Sequence, residues 1–123
     1  MIGYVTVGTN DLQRAGQFYD ALLGVIGAKR FMEFERAIAW STGQQGGGGF
    51  GVGKPYDGKP ATVGNGVMVA LAVDSKEKVD ALYRKALELG GKDEGPPGAR
   101  NEHFYAAYFR DLDGNKLNAC FIS

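Results

Sequence analysis

Two hydrophobic spacings alternate along this chain, and their order outlines the fold. From Ile2 to Val7 the period is two: Val5 and Val7 face one way, Ile2, Tyr4 and Thr6 the other, which predicts a strand. The spacing then turns helical, with Leu12, Ala15, Phe18, Tyr19, Leu22, Leu23 and Ile26 on one stripe. Asn10 stands where the N-cap is expected, with Asp11 in the first turn, and Gly27 is the stop signal. Ala28 to Phe34, Arg36 to Ser41 and Phe50 to Gly53 read as three more strands, with the loop QQGGGG from Gln44 to Gly49 before the last. Residues 54–66 (KPYDGKPATVGNG) carry turn-prone pairs and no periodicity, so they read as a linker.

After the linker the pattern restarts. Val67 to Val73 is a strand, with Met68, Ala70 and Ala72 on the face opposite Val67, Val69, Leu71 and Val73. Asp74 or Ser75 caps a second helix with the stripe Val79, Leu82, Tyr83, Ala86 and Leu87, and Gly90-Gly91 ends it. Lys92 to Arg100 contains Pro96-Pro97 and is expected to be loop-rich, with one short strand. Phe104 to Arg110 and Leu117 to Ile122 form a hairpin around Asp113-Gly114. In its last strand Leu117, Ala119 and Phe121 share a core face, and Lys116, Asn118, Cys120 and Ile122 share the other. The halves align when Phe18-Tyr19 is laid on Leu82-Tyr83, an offset of 64. The expected fold is therefore α+β: two βαβββ modules, about 1–53 and 67–123, joined by linker 54–66 within one domain spanning 1–123. They form a cupped mixed sheet with the helices outside.

Composition narrows the partners. Fourteen Lys and Arg balance fourteen Asp and Glu, so nucleic acid is not an expected partner. A single Cys excludes an internal disulfide and a Cys-based zinc site. No membrane span or leader is read in the chain, so no membrane partner and a cytoplasmic location are the expectations. The 20 glycines point to turns and close backbone approaches.

The N-D-L…F-Y-x-x-L-L-G stretch of the first helix, the G-N-G-x-x-V-A start of the second half and the segment YAAYFRDLDGN-K are similar to those of the vicinal oxygen chelate superfamily. That group includes glyoxalase I, bleomycin-resistance proteins, fosfomycin-resistance enzymes and extradiol dioxygenases. The resemblance implies the cupped fold, a homodimer, a small-molecule ligand, and in catalytic members a divalent metal held by His or Glu in the first and last strands of each half. Here those positions fall on Tyr4, Met68 and Asn118 and near Gly51, none of which suits a hard divalent ion. The expectation is thus no metal and no cofactor, with Tyr4, Met68 and Asn118 converging on an apolar cleft to which Trp40 and Arg100 contribute.

His103, the only histidine, is the candidate acid or base should the chain catalyse a lyase, isomerase or dioxygenase-type reaction, with Tyr4 as its alternative. The competing readings make His103 a loop residue and the whole chain a non-catalytic interaction module. Arg36, Arg100 and Arg110 are candidate anchors for a carboxylate, and Cys120 is a packing residue.

Overall fold

The computed structural model describes residues 1–45 and 47–123. Its elements run β1 (Tyr4–Gly8), α1 (Leu12–Gly24), β2 (Lys29–Glu33), β3 (Ala37–Ser41) and β4 (Gly49–Gly53). Then come β5 (Val69–Ala72), α2 (Lys76–Glu88), β6 (Lys92–Asn101), β7 (Phe104–Arg110) and β8 (Lys116–Ile122). The two βαβββ modules form two four-stranded mixed sheets, ordered β1-β4-β3-β2 and β5-β8-β7-β6. In each sheet the module's first strand pairs in parallel with its last and is left as an edge. No ladder joins β1 to β5 among the described residues. No helix among them is long and apolar enough to cross a membrane.

The helices repeat the offset legible in the sequence: both span 13 residues, beginning and ending 64 positions apart. Their caps sit 64 apart as well. Asp11 accepts from the Arg14 backbone N–H and Ser75 from that of Lys78, each satisfying an amide that the first helical turn leaves unpaired. The cap of α1 is therefore Asp11, one residue beyond the Asn10 expected from sequence. Asn10 is used elsewhere: its side chain accepts from Ala61 N–H at 2.6 Å and donates to Ala61 O at 3.2 Å, tying down the linker.

Both helices bury their apolar stripes against the sheets in one continuous core. Tyr19 and Leu22 from α1, Leu82 and Val79 from α2, and Trp40, Val52, Phe109 and Leu117 from the strands are essentially inaccessible. Tyr19 is central, with ring centroids 5.0 Å from Phe18, 5.7 Å from Trp40 and 4.7 Å from Phe50. Truncating Leu82 would cost about 2–5 kcal/mol in such a setting.

Residues 92–101, expected to be loop-rich with a short strand, form one ten-residue strand instead. Pro96 and Pro97 are tolerated because β6 is a sheet edge and both fall in the register shift between Gly95 and Gly98, where neither has a ladder partner on β7. The glycines around them are absorbed by three register shifts against β7.

Candidate functional site

The seam between β1 and β5 has two unlike ends. One is closed by the turn Asp111-Leu112-Asp113-Gly114-Asn115 at the β7–β8 hairpin. Asp111 is 4 % exposed, and its carboxylate accepts from Tyr19 Oη at 2.6 Å, from the backbone N–H of Asp113 and Asn115, and from Asn115 Nδ2. Asn115 Nδ2 also donates to Gly8 O at 2.8 Å, at the end of β1. Asp113 accepts from Thr9 Oγ1 at 2.6 Å and from Asn10 N–H at 3.1 Å, with Arg14 3.6 Å away. Gly114 takes φ +93°, a conformation that costs glycine nothing. The hairpin of the second module is thus hydrogen-bonded into the β1–α1 junction of the first. Burial, followed by the charge of Asp111 and the bond to it, pushes the Tyr19 phenol well above its ordinary pKa, so it remains a donor.

At the other end the loop between β3 and β4 takes the place of that turn, and the seam gapes. Among the described residues no hydrogen bond links this loop to the β5–α2 junction; its bonds are local, Gly43 N–H to Ser41 Oγ and Gly47 N–H to Gln44 O. Gly46 lies outside the described residues. The opening is a cleft of about 720 Å³. Val5 and Thr6 of β1 line one side, residues 67–72 the other, and Leu23, Ile26, Trp40 and Phe50 form the apolar interior. Ile2, Thr42 and Gln44 sit at its rim. This size and lining fit a small apolar ligand.

Of the residues singled out from sequence, Trp40 and Met68 line this cleft. Trp40 is 1 % exposed, its Nε1–H donating to Asp20 Oδ1 at 2.9 Å, while Arg30 lies 5.8 Å from its ring centroid. Arg30 also grips Asp20 through two 2.8 Å bonds, which hold that carboxyl below its usual range against the opposing effect of burial. Met68 is 43 % exposed at the mouth.

The other candidates lie elsewhere, which corrects the expected convergence. Tyr4 is outside the lining and 61 % exposed, on the face of its sheet that carries Gly49 and Gly51. Asn118 is on the face expected, yet 1 % exposed, because β8 is an inner strand flanked by Ala70 and Tyr108. Its amide nitrogen donates to Ala107 O and Ala119 O. Arg100 folds back on Gly98 O and Pro96 O and stacks 5.4 Å from Tyr108. His103 is in the exposed β6–β7 turn, outside the cleft lining, with no side chain bonded to its imidazole among the described residues. Cys120 is 5 % exposed, and burial pushes its thiol up, as befits a packing residue.

Arg110 does not pair with Asp111. It binds Glu94 at 2.6 Å and Gly114 O at 2.9 Å. Arg36 donates to Pro55 O. All three arginines read as anchors are therefore engaged with their own chain. Sequence reasoning passed over Lys116, which the hairpin register places directly opposite Arg110; the Asp-Gly turn was the signal that could have found it.

The positions to which the resemblance assigns a divalent metal do not fit one. Tyr4 stands apart, Gly51 has no side chain, Met68 offers a soft thioether, and the Asn118 amide is engaged. Among the described residues no group of three or more His, Cys, Asp or Glu side chains is placed to hold a metal.

A sequence model of the Glyoxalase/Bleomycin resistance protein/Dioxygenase superfamily matches residues 1–119. The chain belongs to that superfamily. It is 39% identical to a glyoxalase/bleomycin resistance protein from Albidiferax ferrireducens T118, whose crystal structure superposes with a TM-score of 0.91 over 100% of this chain and 99% of that one. A hypothetical protein from S. aureus is 27% identical, with a TM-score of 0.71 over 98% and 96% of the two chains. A lactoylglutathione lyase from Agrobacterium tumefaciens, 18% identical with a TM-score of 0.70 over 98% and 92%, shares the fold. No curated protein matches this chain.

Proposed function

We propose that this chain is a metal-independent member of its superfamily that binds a small, largely apolar molecule in the seam cleft. The observation that carries the reading is the unpinned end of the seam. There, Val67, Met68 and the outer face of β5 border an open space of about 720 Å³ that is backed by the nearly buried side chains of Leu23, Trp40 and Phe50. Trp40, clamped by Asp20 and Arg30 and nearly buried, backs the cleft rigidly, and the half-exposed Met68 gives it an adaptable wall. The donor set at the superfamily's metal positions supports a mode of binding that needs no ion. A buried charge without a partner would be costly among Leu23, Ile26 and Phe50, so the body of the ligand is apolar.

The test is calorimetric titration of the purified protein with 2-naphthylacetamide, a flat neutral probe, before and after chelator treatment. Saturable one-site binding is expected, unchanged by chelator. Ala70→Phe, which adds a ring on an exposed position of the lining, should abolish it without lowering the melting temperature. Binding that required a stoichiometric metal would refute the metal-independent reading; binding indifferent to Ala70→Phe would move the ligand out of the cleft.

A further inference from the structure

We infer that the ligand is an amphiphilic monoanion, an organic carboxylate whose charged end is held by Lys116 while its apolar body occupies the seam. This rests on the cleft being the binding site and adds the chemical class of what enters it.

A second cavity of about 520 Å³ adjoins the first. Val67 and Met68 line both, so the two spaces meet over these half-exposed apolar side chains. The far wall of the second is made by Lys116, Arg110 and the Gly64-Asn65-Gly66 turn, and no acidic side chain lines it. The sheet register explains the placement. Val69 pairs with Leu117, so the preceding residues Met68 and Lys116 are neighbours. Lys116 and Arg110 are directly opposite across the hairpin.

Like charges facing each other across two strands destabilise a sheet unless something compensates them. Glu94 compensates Arg110, 2.6 Å away. Lys116 makes no ion pair among the described residues. Its ammonium lies 5.6 Å from the Tyr108 ring centroid, and the Arg100 guanidinium is 5.4 Å from the same centroid. Two cations thus flank one aromatic ring, and a third, Arg110, stands opposite Lys116 with the one carboxylate bonded in the group. A carboxylate on Lys116 would relieve that crowding and gain a charge-assisted hydrogen bond. Arg100 and Arg110 are already committed to carbonyl oxygens and Glu94, which leaves Lys116, held only against the Tyr108 ring, as the cation of the group with no oxygen partner among the described residues. A single negative charge suits it better than a phosphate dianion. An apolar cleft opening onto one free ammonium defines a molecule with a hydrophobic body and one acidic end.

The experiment compares 2-naphthylacetate with 2-naphthylacetamide by calorimetry on the wild type, Lys116→Met, Lys116→Arg and Ala70→Phe. The wild type should prefer the acid about tenfold, equivalent to about 1.4 kcal/mol, and the preference should shrink as salt is raised. Lys116→Met should bring the acid down to the amide while leaving amide affinity intact, which also reports an intact fold. Lys116→Arg should keep most of the preference. Equal binding of acid and amide by the wild type, or a preference that survives Lys116→Met, would overturn the anionic assignment and leave the apolar cleft standing. Failure of both probes to bind, or binding insensitive to Ala70→Phe, would overturn both readings.

Discussion

The two ends of the β1–β5 seam are built from corresponding turns of the two modules, and they do opposite work. At one end RDLDGN provides two carboxylates and an amide; at the other STGQQGGGG brings mostly backbone. The first turn reaches across to Tyr19, Thr9, Asn10 and Gly8 of the partner module. Among the described residues the second makes no such bond across the seam. The residues of module two that correspond to Thr9 and Asn10 are Val73 and Asp74: valine has no hydroxyl to offer where Thr9 Oγ1 reaches Asp113, and Asp74 pairs with Lys78 of its own helix. A repeated fold has therefore divided cohesion and recognition between its pseudo-equivalent ends. A seam pinned at both would have no cleft, and one pinned at neither would have no fixed one.

The sharpest way to break this contrast is Asp111→Ala. It takes an acceptor from four donors, of which, among the described residues, only Asn115 Nδ2 keeps another in Gly8 O, and should cost about 3 kcal/mol or more, read as a lower urea midpoint. A loss below about 1 kcal/mol would mean the pinned end contributes no more than an ordinary surface turn. Tyr19→Phe is a smaller perturbation, removing one donor and leaving the ring packing, at about 1–2 kcal/mol. It also carries a pH signature. The folded phenol holds its proton to higher pH than the unfolded one, so its contribution is full below the unfolded value near ~10 and is lost as pH rises toward the folded one. Tyr83 and Tyr105, both half-buried, are raised too, and their contribution is common to both proteins. Wild-type stability should fall more steeply with pH above about 10 than that of Tyr19→Phe; parallel alkaline denaturation curves would contradict this. At the open end Gln44→Ala should change stability by less than about 0.5 kcal/mol, because the exposed Gln44 side chain bonds nothing across the seam among the described residues. A cost near that of Tyr19→Phe would reveal a second pin and dissolve the comparison.

Much of this was legible before any coordinates. Period-two and helical spacings located both helices and most strands, and the 64-residue offset is reproduced by helix bounds and caps alike. What escaped depended on partners distant in sequence. Asp111 reads as a turn residue until Tyr19, 92 positions earlier, is brought to it. Asn10 looks like a cap, and only the path of the linker shows that it serves Ala61 instead. Alternation put Asn118 on the right face but could not report that its strand is interior, where neighbours on both sides cover it. Pro96-Pro97 argued against a long strand because position in the sheet, not composition, decides whether a missing donor matters. Lys116 was visible as a residue; its lack of an ion pair emerges only when Glu94 is seen to choose Arg110.

The bond between Tyr19 and Asp111 has a consequence for how the chain is made. A ribosome that has released the first 66 residues has delivered every strand of the first sheet, complete in its ladders. Yet the hydroxyl at the centre of that module still lacks its acceptor, and the edge of β1 beside Gly8 has nothing laid against it. Some 49 further residues must emerge, through Asn115, before both are served. At a translation rate of about 5–20 residues per second this is a wait of a few seconds. During that interval the early module is held by its own ladders and packing, without the bonds of the hairpin, and exposes the apolar lining of its unfinished seam. Co-translational folding would thus depend less on the order of the elements than on how long that first sheet must stand unaccompanied.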